Sequence, residues 1–584
     1  MTEETDAPGL ADAQNRVCQA ALEAKLLVVA PAGSGKTHTA VARLLQLIGG
    51  DQLDQAEDII ALSFSRAASA ELRRRARRGG LGATRISTFD SFATAVLLDV
   101  LDPSEIGYLD YDARIRRATA VLNDEDAEIP SVDGLLHVIV DEVQDLVADR
   151  SEMVIALLRR IGSGFTLFGD PAQAIYGYQE VARVDRSFLA VLERGDFGPI
   201  ERIELMGSFR AISRHARQVL LFGPRIRAED PHLVARDLRT YELGLPALQS
   251  LTGTSRMLAS PQTGTTAVLA RTNGQTLLLA DQLWSVGVHF RLRPRADDLP
   301  TPRWIADKLL NEKDRVIPLA RAATVLGDDE NAQHRLVLLE RLSNRRGIID
   351  VARISSLLRA RALPEELFDD PPAVTVSTIH RAKGLEFDRI IVTEFASENV
   401  SGLAEEIRVA YVALTRARDE IFTIPVPSAD GGRLKLRDKR WTVSSYGGSG
   451  KVHSVEVFPG DSSMELPDLS KTDLERMHVH IASRVATGDP LMIEAPSRDG
   501  EPWKIMHEDV VVGMLTEALG VWLERCIRHE RHRILGIDGL RVDCIDSVAS
   551  DPAATQRAGF GRFGLHLRVR LAGLGTLIRD HDWR

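Results

Sequence analysis

Eight residues near the N-terminus, Ala30-Pro31-Ala32-Gly33-Ser34-Gly35-Lys36-Thr37, combine small side chains with a lysine and a hydroxyl. Glycine lets backbone N–H groups approach a ligand closely, and a helix beginning here would turn its positive end toward an anion. Lys36 adds a charge for the β and γ positions of a polyphosphate, and the Thr37 hydroxyl can ligate magnesium. The strict pattern has glycine where Ala30 stands. A second tract, Gly450-Lys451-Val452, lacks both the hydroxyl residue and a preceding buried run, so it is set aside. The other half of such a site is a carboxylate at a strand end. Leu136-His137-Val138-Ile139-Val140 runs into Asp141-Glu142-Val143-Gln144-Asp145. Asp141 can hold magnesium through water, and Glu142 can take the proton from an attacking water.

The elements around these residues stand in the order such chemistry needs. The buried run Leu26 to Val29 precedes the loop, and a helical pattern with Val41, Leu44, Leu45 and Ile48 on one face follows it, stopped by Gly49-Gly50. Ile59 to Leu62, Leu135 to Val140 and Phe165 to Phe168 repeat the alternation of strand and helix over the first 200 residues. That texture predicts a parallel sheet covered by helices on both faces. It returns at Ala267 to Ala270, Val374 to Val376, Arg389 to Thr393 and Glu420 to Ile424, which predicts a second α/β core. Between these runs, residues 292–372 look helical and charged, with Pro294, Pro300 and Pro302 at the start. From about residue 430 the texture changes to Gly/Ser-rich turns and short apolar runs, predicting a separate, partly β module.

A chain of 584 residues holds about four folded units. An apolar share of 44% with 27% charged residues describes a globular chain, neither collagenous nor disordered. Cys18, Cys526 and Cys544 cannot make a disulfide framework. The opening Met1-Thr2-Glu3-Glu4-Thr5-Asp6 is acidic, unlike a signal peptide, and no apolar run approaches the ~18 residues that span a bilayer. The expectation is a cytoplasmic protein with no membrane partner. The net charge of -10 disfavours a protein coated in nucleic acid, while leaving a local basic groove open.

Asp141-Glu142-Val143-Gln144-Asp145, followed by Gly169-Asp170-Pro171-Ala172-Gln173-Ala174-Ile175-Tyr176-Gly177-Tyr178, closely resembles superfamily 1 helicases of the UvrD/Rep type. Further matches follow in family order across residues 14 to 418. The resemblance implies two RecA-like parallel-sheet cores with helical insertions, plus a C-terminal partly β domain. The implied division is 1–200 for the first core, with a small insertion at about 95–132. Residues 201–291 and 373–430 form the second core around the helical insertion 292–372, and 431–584 remain as a C-terminal module. ATP and Mg2+ are the implied cofactors. Gln14 resembles the adenine-reading glutamine; Ala32, Gly33, Ser34, Gly35, Lys36, Thr37 and His38 form the phosphate loop, with Thr37 and Asp141 on the metal. Leu205-Met206-Gly207-Ser208-Phe209-Arg210 supplies the adenine-stacking Phe209 and the arginine Arg210. The closing motifs Thr378 to Phe387 and Ala410 to Ala417 contain Glu386, for the ribose or phosphate side, and Arg416. Arg210 and Arg416 would reach the γ-phosphate, where such arginines are worth ~10³ to 10⁵ in rate. Gln173 would link that phosphate to the strand-binding loops.

For the track, base stacking is worth roughly 1 to 3 kcal/mol per base. The resemblance marks Phe64 and Tyr178 as stacking residues, and Thr88, Thr378 and His380 as phosphate or sugar contacts, and leaves Phe89 either as a further contact or as core. The run Arg73-Arg74-Arg75-Ala76-Arg77-Arg78 either widens the groove or forms a solvated helix face. The chain departs from the family at His38, where an arginine is usual, and at Ser208, Asp90 and Tyr178, in place of asparagine, histidine and tryptophan. The expected function is an ATP-dependent helicase or translocase moving 3′ to 5′ on single-stranded DNA or a tailed duplex. The rival is a nucleic-acid-stimulated ATPase clamp, a signalling subunit of a repair or defence assembly, reaching a protein partner through the C-terminal module.

That module, from about residue 431, matches no helicase motif. Gly536-Ile537-Asp538 faintly resembles the first acidic element of a RecB-type nuclease, but the chain has no lysine after Lys504, so the nuclease reading is rejected. Cys526, His529 and His532 share a helical face at spacing three, which could seat a metal or be plain helix surface. Pro490 to Ile493 and Trp503 to Leu515 suggest a small β barrel.

Overall fold

The computed structural model describes residues 8–580 apart from 51–52, 55–56, 64–68, 70–71, 74, 78, 82–83, 102–104, 107–108, 176–187, 195, 210, 260–263, 294–299, 328–331, 344, 360–362, 364–371, 396–401, 430–431, 446–451, 499–500, 528–532 and 558. The chain forms two compact units, one of residues 1–247 with 382–423 and one of 248–381 with 424–584. Among the described residues, no helix is long and apolar enough to cross a membrane.

The first unit is built on six parallel strands: β1 (Lys25–Val29), β2 (Ile59–Ser63), β3 (Arg85–Thr88), β4 (His137–Val140), β5 (Gly164–Gly169) and β6 (Glu201–Glu204), in the order β3-β2-β4-β5-β1-β6. Alternate residues of each strand feed two apolar layers, because successive side chains point to opposite faces. Ile60, Leu62, Val138, Val140, Phe165 and Leu167 pack into one layer, and Ile59, Ala61, Ile139, Leu26, Val28 and Phe168 into the other. A sheet covered on both faces reads as continuous apolar runs, which is why these strands were visible in the sequence. β6 lies beside β1 and completes this sheet, so the first core extends beyond residue 200. Segment 89–133 adds helices Phe89–Val100, Tyr111–Leu122 and Pro130–Asp133. The helices Arg214–Leu220, Phe222–Ala228 and Pro231–Leu243 also belong to this unit, as does Leu403–Leu414.

In the second unit, β7 (Thr266–Ala270), β8 (Arg291–Arg293) and β11 (Val374–Thr378) run parallel, with β11 in the middle. Between them lie helices Arg303–Leu309, Leu319–Leu326, Ala332–Leu342 and Val351–Arg359. An antiparallel pair, β9 (Val316–Pro318) and β10 (Ile348–Asp350), adds strand to a segment expected to be helical. The remaining expected strands are β12 (Phe387–Thr393) and β13 (Ala417–Ile424). The C-terminal module is an antiparallel sheet of β14 (Gly432–Arg437), β15 (Arg440–Ser445), β16 (Val452–Val457), β17 (Pro490–Glu494), β18 (Lys504–His507), β19 (Val510–Met514), β20 (Ile534–Ala549) and β21 (Leu565–Arg579). Its order, β14-β15-β16-β21-β20-β17-β18-β19, leaves β14 and β19 at the two ends among the described residues, where a small barrel was expected.

The helical insertion and this sheet share a core. Trp304, Ile305, Leu339 and Ile354 pack with Ala549 and Leu565. The Ser547 hydroxyl donates to Pro302 O at 2.6 Å and accepts from Ala306 N at 2.8 Å. Inside the β20–β21 ribbon, Arg568 meets Asp546 with two bonds of 2.9 and 2.7 Å, both residues being buried.

Candidate active site

The loop after β1 turns through two left-handed glycines, Gly33 (φ 77°) and Gly35 (φ 85°), before the helix Lys36–Gly50 begins. A Cβ at Gly35 would stand 2.8 Å from Gln14 Nε2 and 3.5 Å from the Phe209 ring, so only glycine keeps this passage open. Gln14 Nε2 donates to Ser34 O at 3.1 Å, and Phe209 N donates to Gly33 O at 2.9 Å. Gln14 and Phe209, nearly 200 positions apart, therefore flank one loop. Phe209 is 58% exposed. Ala32 and Ser34 are buried, and the Ser34 hydroxyl has no hydrogen-bond partner among the described residues. Thr37 is half-buried and His38 exposed.

Lys36 reaches the end of β4, where its ammonium bonds to Glu142 and lies 3.1 Å from Asp141 Oδ1. Burial disfavours the ammonium, but these two carboxylates outweigh it and hold Lys36 above the ordinary lysine range. Burial would also raise Glu142; the Lys36 and Lys383 charges overcome that and hold its carboxyl at about 2. Asp141 is raised, because burial outweighs its share of Lys36. Glu142 is a non-glycine residue at φ 59°, ψ 42°, a left-handed conformation that costs roughly 1 to 2 kcal/mol. Its N–H donates to Asp141 Oδ1 at 2.9 Å, which closes the turn.

Five further residues, Gln144, Asp145, Asp170, Arg227 and Lys383, none given a role in the sequence reading, tie the loops after β4 and β5 into one network. Gln144 donates to Glu142 Oε2 and accepts from Asp170 N at 3.0 Å. Asp170 accepts from Gln173 Nε2 at 2.9 Å and from Arg227 at 3.3 Å, and burial raises its carboxyl despite these partners. Lys383 pairs with Asp145 at 2.6 Å and also bonds to Gln173 O, while Asp145 is pushed up to about 6 by burial. Arg416, almost wholly buried, donates to Gln173 Oε1 at 3.2 Å and to Val412 O at 2.9 Å. Thus Lys36, Asp141, Glu142, Gln173 and Arg416 converge within the first unit, through Gln144 and Asp170.

Residues 10–105 match the UvrD/REP helicase N-terminal domain, and residues 332–426 match the UvrD-like helicase C-terminal domain. These two stretches are what the chain shares with UvrD-type helicases. The chain is similar to a protein described as an ATP-dependent DNA helicase from Acanthamoeba polyphaga mimivirus, 22% identical over 473 residues that cover 76% of this chain and 59% of the relative. ATP-dependent DNA helicase UvrD1 of Mycobacterium tuberculosis is 34% identical over 110 residues, covering 17% of this chain and 13% of that one. The chain thus spans less than two thirds of the length of either. Among solved structures, Pif1 helicase from Bacteroides in complex with ADP-AlF3 and ssDNA is similar with a TM-score of 0.36 and 15% identity, over 72% of this chain and 92% of that one.

Lys36 and Gln14 lie in the stretch that matches the UvrD/REP N-terminal domain and Lys383 and Arg416 in the stretch that matches the UvrD-like C-terminal domain; Asp141, Glu142 and Gln173 fall between the two. The remaining expected residues are placed as follows. Thr88 is buried and its hydroxyl caps the helix Phe89–Val100, accepting from Ser91 N at 3.3 Å. Phe89 is core. Glu386 is exposed one turn from Lys383. Thr378 ends β11, buried, with His380 two residues on and half-buried; both belong to the second unit. Arg73 bonds to Ile86 O at 2.9 Å, so that arginine supports β3. Phe64, Tyr178, Arg210 and the side chains of Cys526, His529 and His532 lie outside the described residues.

Proposed function

We propose that the chain is an ATP- and magnesium-dependent DNA helicase that moves 3′ to 5′ along single-stranded DNA and opens tailed duplexes. One observation carries the catalytic part of this reading: Lys36 at the helix start meets Asp141 and Glu142 at the end of β4, beside Gln173 and its bond to Arg416. The residues fit a bound nucleotide. The buried Ser34 hydroxyl, without a partner among the described residues, and the side-chain-free passage at Gly35 suit a phosphate chain, and Gln14 and Phe209 suit the base. Thr37 and Asp141 would hold Mg2+, which when bound supplies charge neutralisation for the phosphates. Arg416, with Arg210, would carry positive charge to the γ-phosphate, and Glu386 would serve the ribose or phosphate side.

Glu142 is the proposed base for water. Bound to Lys36 its carboxyl sits at about 2, too weakly basic for that task. Once Lys36 turns to a phosphate, Glu142 loses its strongest acid-strengthening partner and its proton affinity rises. Phe64 and Tyr178 would stack on bases, and Thr88, Thr378 and His380 would follow the backbone of the strand.

The test is Glu142→Gln. ATP binding should survive while turnover stimulated by single-stranded DNA falls at least 100-fold, in line with the range for general bases. Unchanged turnover overturns the assignment. Displacement of a labelled strand from 3′-tailed but not 5′-tailed duplexes supports the direction, and the opposite preference overturns it. Strong DNA-stimulated turnover with no displacement from either favours the clamp.

A further inference from the structure

The C-terminal module brings three potential ligands together. His480 lies near the end of the helix Lys471–Ser483, His507 ends β18, and Glu508 begins the turn to β19. One ligand atom of each lies within 4.8 Å of the others, the one such group among the described residues. His480 Nε2 and His507 Nδ1 are 2.8 Å apart, and His507 is 5% exposed. The far nitrogen of His507, Nε2, faces Asp489 Oδ2 at 3.4 Å. Asp489 Oδ2 is itself fixed by Ala486 N at 2.7 Å.

This arrangement has the parts of a metal site rather than of a simple turn. Two imidazoles and a carboxylate are zinc ligands, and around a tetrahedral ion with Zn–N of about 2.0 to 2.1 Å the donors sit about 3.4 Å apart. The two nitrogens would have to part by only about 0.6 Å to admit such an ion. A carboxylate behind a ligating histidine favours the proton on the far nitrogen, so Asp489 leaves the Nδ1 lone pair of His507 directed at His480 and Glu508. Two nitrogens at this separation share at most one proton, so one of them always presents a lone pair there.

We propose that His480, His507 and Glu508 bind a divalent transition ion, Zn2+ foremost, with Asp489 as the positioning residue and a fourth position left to solvent. The ion pins the end of the Lys471–Ser483 helix to the β18–β19 hairpin. The proposal does not rest on the helicase reading.

The experiment uses the untagged full chain, stripped with a chelator and titrated with Zn2+ against a chromophoric competitor. One ion per chain should bind. His480→Ala should weaken binding at least 100-fold and Asp489→Asn 10- to 100-fold, the range for losing the partner that orients a ligand. His480 is the variant of choice because it is half-exposed, and circular dichroism checks that the variant folds. Zinc should also raise the melting temperature of the wild type and leave that of His480→Ala unmoved. If the stripped wild type takes up no zinc at micromolar concentration, the histidines form only an N–H···N bond and the proposal is overturned. Equal uptake by wild type and His480→Ala overturns it too, since the ion then sits elsewhere.

Discussion

Gln144→Ala is the perturbation that most directly probes how the two loops are coupled. Gln144 is buried and makes two unlike bonds: its amide nitrogen donates to the Glu142 carboxylate, and its oxygen accepts from Asp170 N at 3.0 Å. Truncation leaves the Asp170 N–H buried without a partner, at about 1 to 3 kcal/mol. It also removes a bond to an ionised carboxylate, worth roughly 1.5 to 3 kcal/mol. These bonds share a network, so their costs do not simply add; about 3 to 5 kcal/mol is expected. For a unit of this size roughly 2 °C is lost per kcal/mol, giving a melting temperature lower by about 6 to 10 °C. Catalysis should suffer as well, because the Gln144 amide orients the carboxylate that Glu142 presents from its left-handed turn. The assay pairs a thermal melt with DNA-stimulated ATP turnover, expected to fall at least tenfold. A melting temperature within 1 °C of wild type, with unaltered turnover, would refute the network. Gln144→Glu is the control: it keeps the shape but sets a like charge against Glu142, and should be no better.

Other perturbations follow from the same structure. His137 is fully buried between Leu22 O and the Thr166 hydroxyl, and burial first, with the nearby Arg43 charge second, lowers it to about 3. Its folded value lies below its unfolded one of about 6.5, so stability is intact above that value and is lost as pH falls toward 3. At pH 5 the loss from this residue should be about 2 kcal/mol. Urea unfolding at pH 7 and pH 5 should show it in wild type and less of it in His137→Gln. Gly35→Ala forces a left-handed alanine against Gln14, so nucleotide affinity, read by fluorescent-nucleotide titration, should fall at least tenfold while the fold persists. Arg227→Ala unpairs the buried Asp170 and should slow turnover severalfold with little change in nucleotide affinity, as measured by steady-state kinetics. Asp546→Asn strands the buried Arg568 and should cost about 3 to 5 kcal/mol in urea unfolding of the second unit.

The parts legible in the sequence were those set by local order. The strand, glycine loop and helix around Lys36 announce themselves because small residues, a lysine and a 3.6-residue apolar period sit next to each other. Asp141 and Glu142 were legible for the same reason, being the first acidic residues after a continuous apolar run. The left-handed backbone of Glu142 was not, since glycine is the usual signal for it. Asp145 with Lys383, and Asp170 with Arg227, depend on contacts 238 and 57 positions apart, and a lone charge in a sequence most often means solvent. The β20–β21 ribbon was blurred in the same way. Asp546, Arg568 and Arg570 interrupt its apolar pattern, yet each is buried because they neutralise one another. That the insertion shares a core with this ribbon rests on Trp304, Ile305 and Ser547, whose partners lie more than 200 positions away.

The charges of the site form a chain in which each cation is held by a carboxylate or an amide of the loops after β4 and β5. Lys36 is held by Asp141 and Glu142, Lys383 by Asp145, Arg227 by Asp170, and Arg416 by Gln173. Under the proposed reading, a polyphosphate competes with Glu142 for Lys36, so its arrival itself raises the basicity of Glu142. The base is then strong only while fuel is present, which guards against idle proton transfer. Gln144 conveys the same event to Asp170, and Asp170 to Gln173, because one amide spans both carboxyl-bearing loops. Under that reading a change at Lys36 would reach Arg416 through four hydrogen-bonded residues, Glu142, Gln144, Asp170 and Gln173, without any large rearrangement of the sheet.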